Sequence, residues 1–156
     1  MSGNRRSKRR SAMALLCLST VFMIGSFVSA PAASATTYSE EKMWRMINNT
    51  RDNYDRSRLK LSQGLSDKAR AHSRRMRSAG KIFHTTSLNS TLSAFNWSVA
   101  GENVGVGPDL RSLHRAFMRS TGHRANILYR RYERVGVGVA WRDGRAWVTV
   151  MFADIS

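Results

Sequence analysis

Cysteine is almost absent from this chain: Cys17 is the one thiol in 156 residues. A lone cysteine cannot close an intramolecular disulfide, so stability must come from a packed core, and one domain of this length can bury one. Leu15 and Leu16 precede Cys17, where lipoprotein processing prefers a small residue, which argues against lipidation. Acidic residues are scarce too: 10 Asp+Glu stand against 26 Lys+Arg, and none occurs before Glu40. There is no internal repeat and no long low-complexity tract, which excludes solenoid and tail-like architectures.

The formal net charge is +16. A surface this basic attracts polyanions, of which wall polymers, anionic lipid headgroups and nucleic acid are the general kinds. No nucleic-acid-binding motif is visible. An anionic cell-envelope polymer or lipid is therefore the expected partner, and nucleic acid is not.

The N-terminus has three parts. Arg5, Arg6, Lys8, Arg9 and Arg10 form a basic start, residues 12–28 form a mostly apolar run, and Ala33-Ser34-Ala35 supplies small residues. This is the order of a secretory signal peptide, with cleavage expected after Ala35 and Val28-Ser29-Ala30 as a second possible site. The apolar run is interrupted by Ser19, Thr20, Gly25 and Ser26 and is short for a membrane anchor. The expected organisation is a signal peptide over 1–35 and one secreted, extracellular domain over 36–156. Removing the first segment takes away five basic residues and lowers the charge to +11.

Within the domain, Met43, Met46, Ile47, Thr50 and Tyr54 recur at helical spacing, with Ser39 as a candidate cap and Glu40 and Glu41 in the first turn. Residues 52–60 read as loop. A second helix is expected from about Ser66 to Ala79, ended by Gly80, with Leu65, Ala69, His72 and Met76 on one face. His72 there reads as a packed core histidine whose ring nitrogens need partners. The arginines at 70, 74, 75 and 77 lie largely off that face; they read as a solvated ridge, with polyanion binding as the functional alternative. Residues 87–98 read as loop anchored by Phe95 and Trp97. A third helix fits Pro108 to Arg119, and a short one follows His123. Residues 135–141 and 146–153 alternate with period two around an Asp143-Gly144 turn, giving a hairpin apolar on both faces. Such a hairpin needs cover on both sides, so the fold expected from physics is α+β, with a sheet between helices.

Several segments resemble, in order, the CAP superfamily (cysteine-rich secretory, antigen 5, pathogenesis-related), in its short bacterial form. They are Ile47-Asn48 with Arg51; Leu59-Lys60-Leu61 followed by Leu65, Ala69, His72 and Met76; Phe83-His84; Ala100-Gly101-Glu102-Asn103-Val104; Ser120-Thr121-Gly122-His123-Arg124-Ala125-Asn126-Ile127-Leu128; and Val135-Gly136-Val137-Gly138. The resemblance covers about residues 40–153. It implies an α-β-α sandwich with a small, mainly antiparallel sheet, an extracellular location, and a cleft lined by two histidines and two glutamates. The matching positions are His84, His123 and Glu102; the second glutamate's place is taken by Ser120, and a usual tryptophan by Phe117. Asn103, Ser120 and His114 are placed on the cleft.

His84, Glu102 and His123 are separated by 18 and 21 residues, so only the tertiary fold can assemble them. Two imidazoles and a carboxylate suit Zn²⁺ or another divalent ion with an open fourth position, favoured above about pH 6.5, where imidazole is neutral. The bland alternative is a hydrogen-bonded polar cluster in which Glu102 orients the imidazoles. Three functions follow: a binding module for a small ligand, metal or envelope component; a metal-assisted hydrolase using the same three residues; and a wall-associated structural protein acting through its basic surface. The serine at position 120 favours binding over catalysis. Gly101, Gly105 and Gly107 lack the context of a phosphate loop, and Gly136 and Gly138 read as sites of close packing.

Overall fold

The computed structural model describes Met1 and residues 37–155. The described residues from Thr37 onward fall within one compact unit, 33–156. The expected signal peptide lies, apart from Met1, outside the described residues. No helix among the described residues is long and apolar enough to cross a membrane.

The elements run α1 (Tyr38–Asn53), β1 (Lys60–Leu61), α2 (Gln63–Ala79), α3 (Leu88–Thr91), β2 (Ala100–Gly107), α4 (Leu110–Arg119), α5 (Thr121–Leu128), β3 (Arg134–Arg142) and β4 (Arg145–Ala153). The strands form one sheet in the order β1-β3-β4-β2, antiparallel except for the short β1–β3 pair. Asp143 and Gly144 both take positive φ, 50° and 69°, as a tight Asp-Gly hairpin requires.

The expected two-sided hairpin is what organises the layers. Val135, Val137, Val148, Val150 and Phe152 are buried in one cluster with Met43 and Ile47 of α1, Leu113 and Phe117 of α4, and Ile127 of α5. Met151 and Ala153 point the other way, onto Leu65 and Ala69 of α2, and Trp147 packs with Met76. Each fully buried large apolar side chain contributes roughly 1.5–3 kcal/mol, so the cysteine-free core is sufficient in kind. The helix α2 lies directly on β3: a Cβ on Gly136 would sit 2.2 Å from the carbonyl carbon of Leu65, and one on Gly138 2.2 Å from that of Ala69. The expected role of these glycines is met.

Polar groups tie α1 to its surroundings. Asn48 is buried and exchanges two hydrogen bonds with the backbone of Leu59, accepting from its N–H at 2.8 Å and donating to its carbonyl at 3.0 Å. Arg51 is fully buried and donates to the carbonyls of Ser57, Ile127 and Tyr129. The last two close the C-terminal end of α5, where a cation suits the helix dipole. Burial, and then the neighbouring Arg56, lower the Arg51 guanidinium below its ordinary value.

Several boundaries differ from the sequence reading. Thr37, not Ser39, caps α1, in a reciprocal capping box with Glu40. Ser62, not Ser66, caps α2; Ser66 is buried one turn in, where its hydroxyl accepts from the Val137 N–H. Asp109 caps α4, so Pro108 stays outside the helix. The next helix starts at Thr121, ahead of His123. The loop expected over 87–98 contains the single turn α3. Glu102 lies within a full strand, β2, to which the sequence reading assigned no element.

Candidate functional site

Strand β2 lies at the edge of the sheet, so successive side chains along it enter different helical layers. Glu102 pairs in register with Met151 and shares its face, the α2 side; Asn103 pairs with Val150 and faces α4 and α5. Two adjacent residues thus clamp the two layers where they meet at the sheet edge.

On the α2 side, the Glu102 carboxylate takes three hydrogen bonds. Oε1 accepts from Nδ1 of His84 at 2.8 Å and from the Thr85 N–H at 2.9 Å, and Oε2 accepts from the Thr85 hydroxyl at 2.5 Å. A carboxylate only accepts, so Nδ1 of His84 carries a proton, and in the neutral form of the ring it is Nε2 that offers the lone pair. The side chain of His84 is 61% exposed while that of Glu102 is 5% exposed. Glu102 is the buried anchor and His84 the outward-facing group.

Behind this pair stands His72, fully buried as expected of a core histidine. Its Nε2 is 2.8 Å from the Phe83 carbonyl and its Nδ1 is 3.0 Å from Nη2 of Arg75. The carbonyl can only accept and the guanidinium can only donate, so the ring is neutral with its proton on Nε2. Thr85 Oγ1 lies 3.3 Å from the same Nδ1. Thr85 and His72 therefore hold residues 83–85 against β2. Nothing in the sequence pattern marks Thr85 as part of the site beyond its place next to His84.

On the other side, Nδ2 of Asn103 donates to the His123 carbonyl at 2.9 Å. Asn126 donates to Oδ1 of Asn103 at 2.9 Å and to the Glu102 carbonyl at 3.2 Å, so its bonds are long-range. The His123 ring leans on Phe117, with centroids 4.9 Å apart. Its pKa is lowered, first by burial and second by the charge His84 can carry, so the two rings are within electrostatic reach across the sheet edge.

Ser120 is the joint between α4 and α5, and its side chain makes no capping bond. His114 points elsewhere: its Nε2 is 3.2 Å from the Thr50 hydroxyl on α1, and burial lowers its pKa. The structure thus brings His84 and Glu102 into direct contact and sets His123 nearby by its backbone. It does not join His114 to them. Among the described residues, no three of His, Cys, Asp and Glu stand together as a set able to hold a metal ion.

This architecture recurs in known proteins. Residues 44–152 match the cysteine-rich secretory protein family (CAP). A Bacillus subtilis protein, YkwD, is 28% identical over 123 residues, spanning 74% of this chain and 48% of its own length. This chain thus spans about half of that relative. An outer surface protein from Borrelia burgdorferi shares the fold with a TM-score of 0.68 at 16% identity, covering 74% of this chain and 92% of that one. An extracellular SCP-domain protein from Bacillus anthracis superposes with a TM-score of 0.65 at 24% identity, covering 74% of this chain and 40% of that one. With the family match covering most of the chain and the fold agreeing, this chain belongs to the CAP, or cysteine-rich secretory protein, family.

Proposed function

We propose that this protein is an exported binding module of the cell surface or envelope, whose groove between His84 and His123 takes a divalent metal ion or a small ligand. The observation that carries this reading is the state of Glu102. Its three hydrogen bonds are spent on His84 and Thr85. A carboxylate so engaged orients an imidazole; it is not free to shuttle a proton or activate water. Ser120, where a second carboxylate would stand, supplies no substitute.

The residues suit a cation in part. His84 Nε2 and the His123 ring offer two nitrogen ligands, and Glu102 supports one of them from behind in the carboxylate–histidine arrangement common to metal sites. The remaining positions would come from solvent or from a bound ligand. An ion held there would act as a Lewis acid toward that ligand. His123, kept neutral by burial, is ready to ligate at neutral pH.

Export is supported by the tripartite N-terminal sequence, and by the names of similar proteins, which describe an outer surface and an extracellular protein. N-terminal sequencing of protein recovered outside the cell should begin at Thr36.

The binding test is thermal unfolding with Zn²⁺ and with chelator, for the wild type and for His84→Gln/His123→Gln. A ligand at about 100 times its Kd stabilises by about 2.7 kcal/mol. A zinc-dependent rise in the wild type, absent from the double variant, is expected. Equal behaviour of the two proteins would overturn the metal reading.

A further inference from the structure

A concave site elsewhere on the domain includes none of His84, Glu102 and His123 in its lining. The cleft has a volume of about 580 Å³ and is walled by Ser57, Arg58 and Lys60, by residues 130–134 and by Asp154. Five of its side chains are cationic, Arg58, Lys60, Arg130, Arg131 and Arg134, against the carboxylates of Glu133 and Asp154.

The pairing leaves three of the five cationic side chains without an ion-pair partner. Asp154 is committed to its own neighbours: it accepts from the N–H groups of Ser98 and Val99, both at 2.8 Å, and from the Ser98 hydroxyl at 2.5 Å. Burial raises this carboxyl, and these donors more than reverse it, to about 2. Arg131 reaches Asp154 only at 3.6 Å. Arg58 pairs outward with Asp52 at 2.7 Å. The side chains of Lys60, Arg130 and Arg134 have no hydrogen-bonded or ionic partner among the described residues. Cations converging from separate chain segments on a hollow suit a tetrahedral anion approached from several sides, and the guanidinium forks match phosphate oxygens.

The cleft offers nothing for bases to stack on. Tyr132, its one aromatic residue, is 6% exposed and its ring is stacked on Phe152 at 5.4 Å. Recognition is confined to the charged backbone of a ligand.

We propose that this cleft is a binding site for a linear phosphate-bearing polyanion without bases, such as a polyphosphodiester of the envelope. The site would tether the protein while the histidine groove remains free.

The test measures binding of a fluorescent long-chain polyphosphate by the full chain, by anisotropy, at several salt concentrations. Lys60→Gln/Arg130→Gln/Arg134→Gln is compared with Lys68→Gln/Arg74→Gln/Lys81→Gln, which removes the same charge around α2. The cleft variant should lose about tenfold or more in affinity and about three units of salt slope, well beyond the control variant. His84→Gln/His123→Gln should bind polyphosphate like the wild type, which separates this site from the metal reading. Arg58→Gln/Arg130→Gln, outside the strands, gives a second cleft variant should the triple variant unfold. Equal losses in the cleft and control variants would reduce the effect to diffuse surface charge. Equal or tighter binding of oligo(dT), of polyglutamate, or only of phosphatidylglycerol vesicles would each overturn the proposed ligand class.

Discussion

His84 donates its Nδ1 proton to Oε1 of Glu102 across 2.8 Å, joining an exposed ring to a buried carboxylate. This one bond selects the ring's tautomer and so determines which nitrogen faces the groove. In Glu102→Gln the amide keeps the shape but not the charge, and its NH₂ cannot accept from Thr85. We expect the His84 tautomer to become mixed in ¹⁵N spectra. Metal or ligand affinity should fall about tenfold, the lower end for losing a supporting partner behind a metal-binding histidine. Unchanged tautomer and affinity would show that Glu102 serves the 83–85 loop alone.

Glu40 and Arg70 pin α1 to α2. Arg70 donates from Nε and Nη2 to the two oxygens of Glu40 at 2.8 and 2.9 Å, with side chains only 8% and 1% exposed. The ion pair and its hydrogen bonds raise the Arg70 pKa against the effect of burial. Removing one partner strands a buried charge. Arg70→Met should therefore cost about 3–5 kcal/mol in urea unfolding, while Glu40→Leu/Arg70→Met should recover part of that loss, the remainder reflecting the capping-box bond from the Thr37 N–H that Glu40→Leu also removes. Additive losses in the double variant would show that the pair is not coupled.

The two-faced hairpin, the helical periodicities and the core role of His72 were legible in the sequence, because each depends on apolar spacing or on one side chain's own requirement. Strand β2 was not. Its residues facing α4 and α5 include Gly101, Asn103 and Gly105, so no apolar alternation marks it. The need for that pattern appears only with the fold: a Cβ on Gly105 would sit 2.8 Å from Leu113. Helix starts were misplaced wherever two candidate caps stood within a few residues, as with Thr37 and Ser39, because the winner is set by where the chain turns toward the sheet. The residues of the site came from family resemblance. Their division into a buried anchor, Glu102, and an exposed ring, His84, required coordinates.

Two glycine substitutions should separate packing from propensity. At Gly138 a Cβ would meet the backbone of Ala69 and Arg70 at 2.2 Å, and backbone cannot swing away. Gly138→Ala should push α2 off the sheet and cost about 3 kcal/mol or more, at or above the upper end for overpacking. At Gly122, in α5, a Cβ meets nothing within 4 Å. Gly122→Ala should stabilise by about 0.5–1 kcal/mol, because alanine is the better helix former. Thermal melts of the two variants read the contrast directly, and a small effect at Gly138 would contradict the close approach of α2 to β3.

Acid should weaken the fold through two histidines. Burial lowers the pKa of His114, and burial followed by the charge of His84 lowers that of His123, both from an ordinary value of 6.5. In that window the unfolded chain binds more protons than the native one, so stability rises with pH. The contribution of each ring is fully present above about pH 6.5, falls as the pH drops, and is gone once the pH is below the folded-state value. Urea midpoints measured with chelator from about pH 7.5 to about pH 5 should therefore decline across this range. His114→Gln retains a polar group toward Thr50 and should flatten part of the decline, and adding His123→Gln should flatten more. Chelator matters because metal binding would fall over the same range and imitate the effect. If both variants kept the wild-type slope, the acid sensitivity would belong to other groups, and neutral His123 would lose its support as a ready ligand.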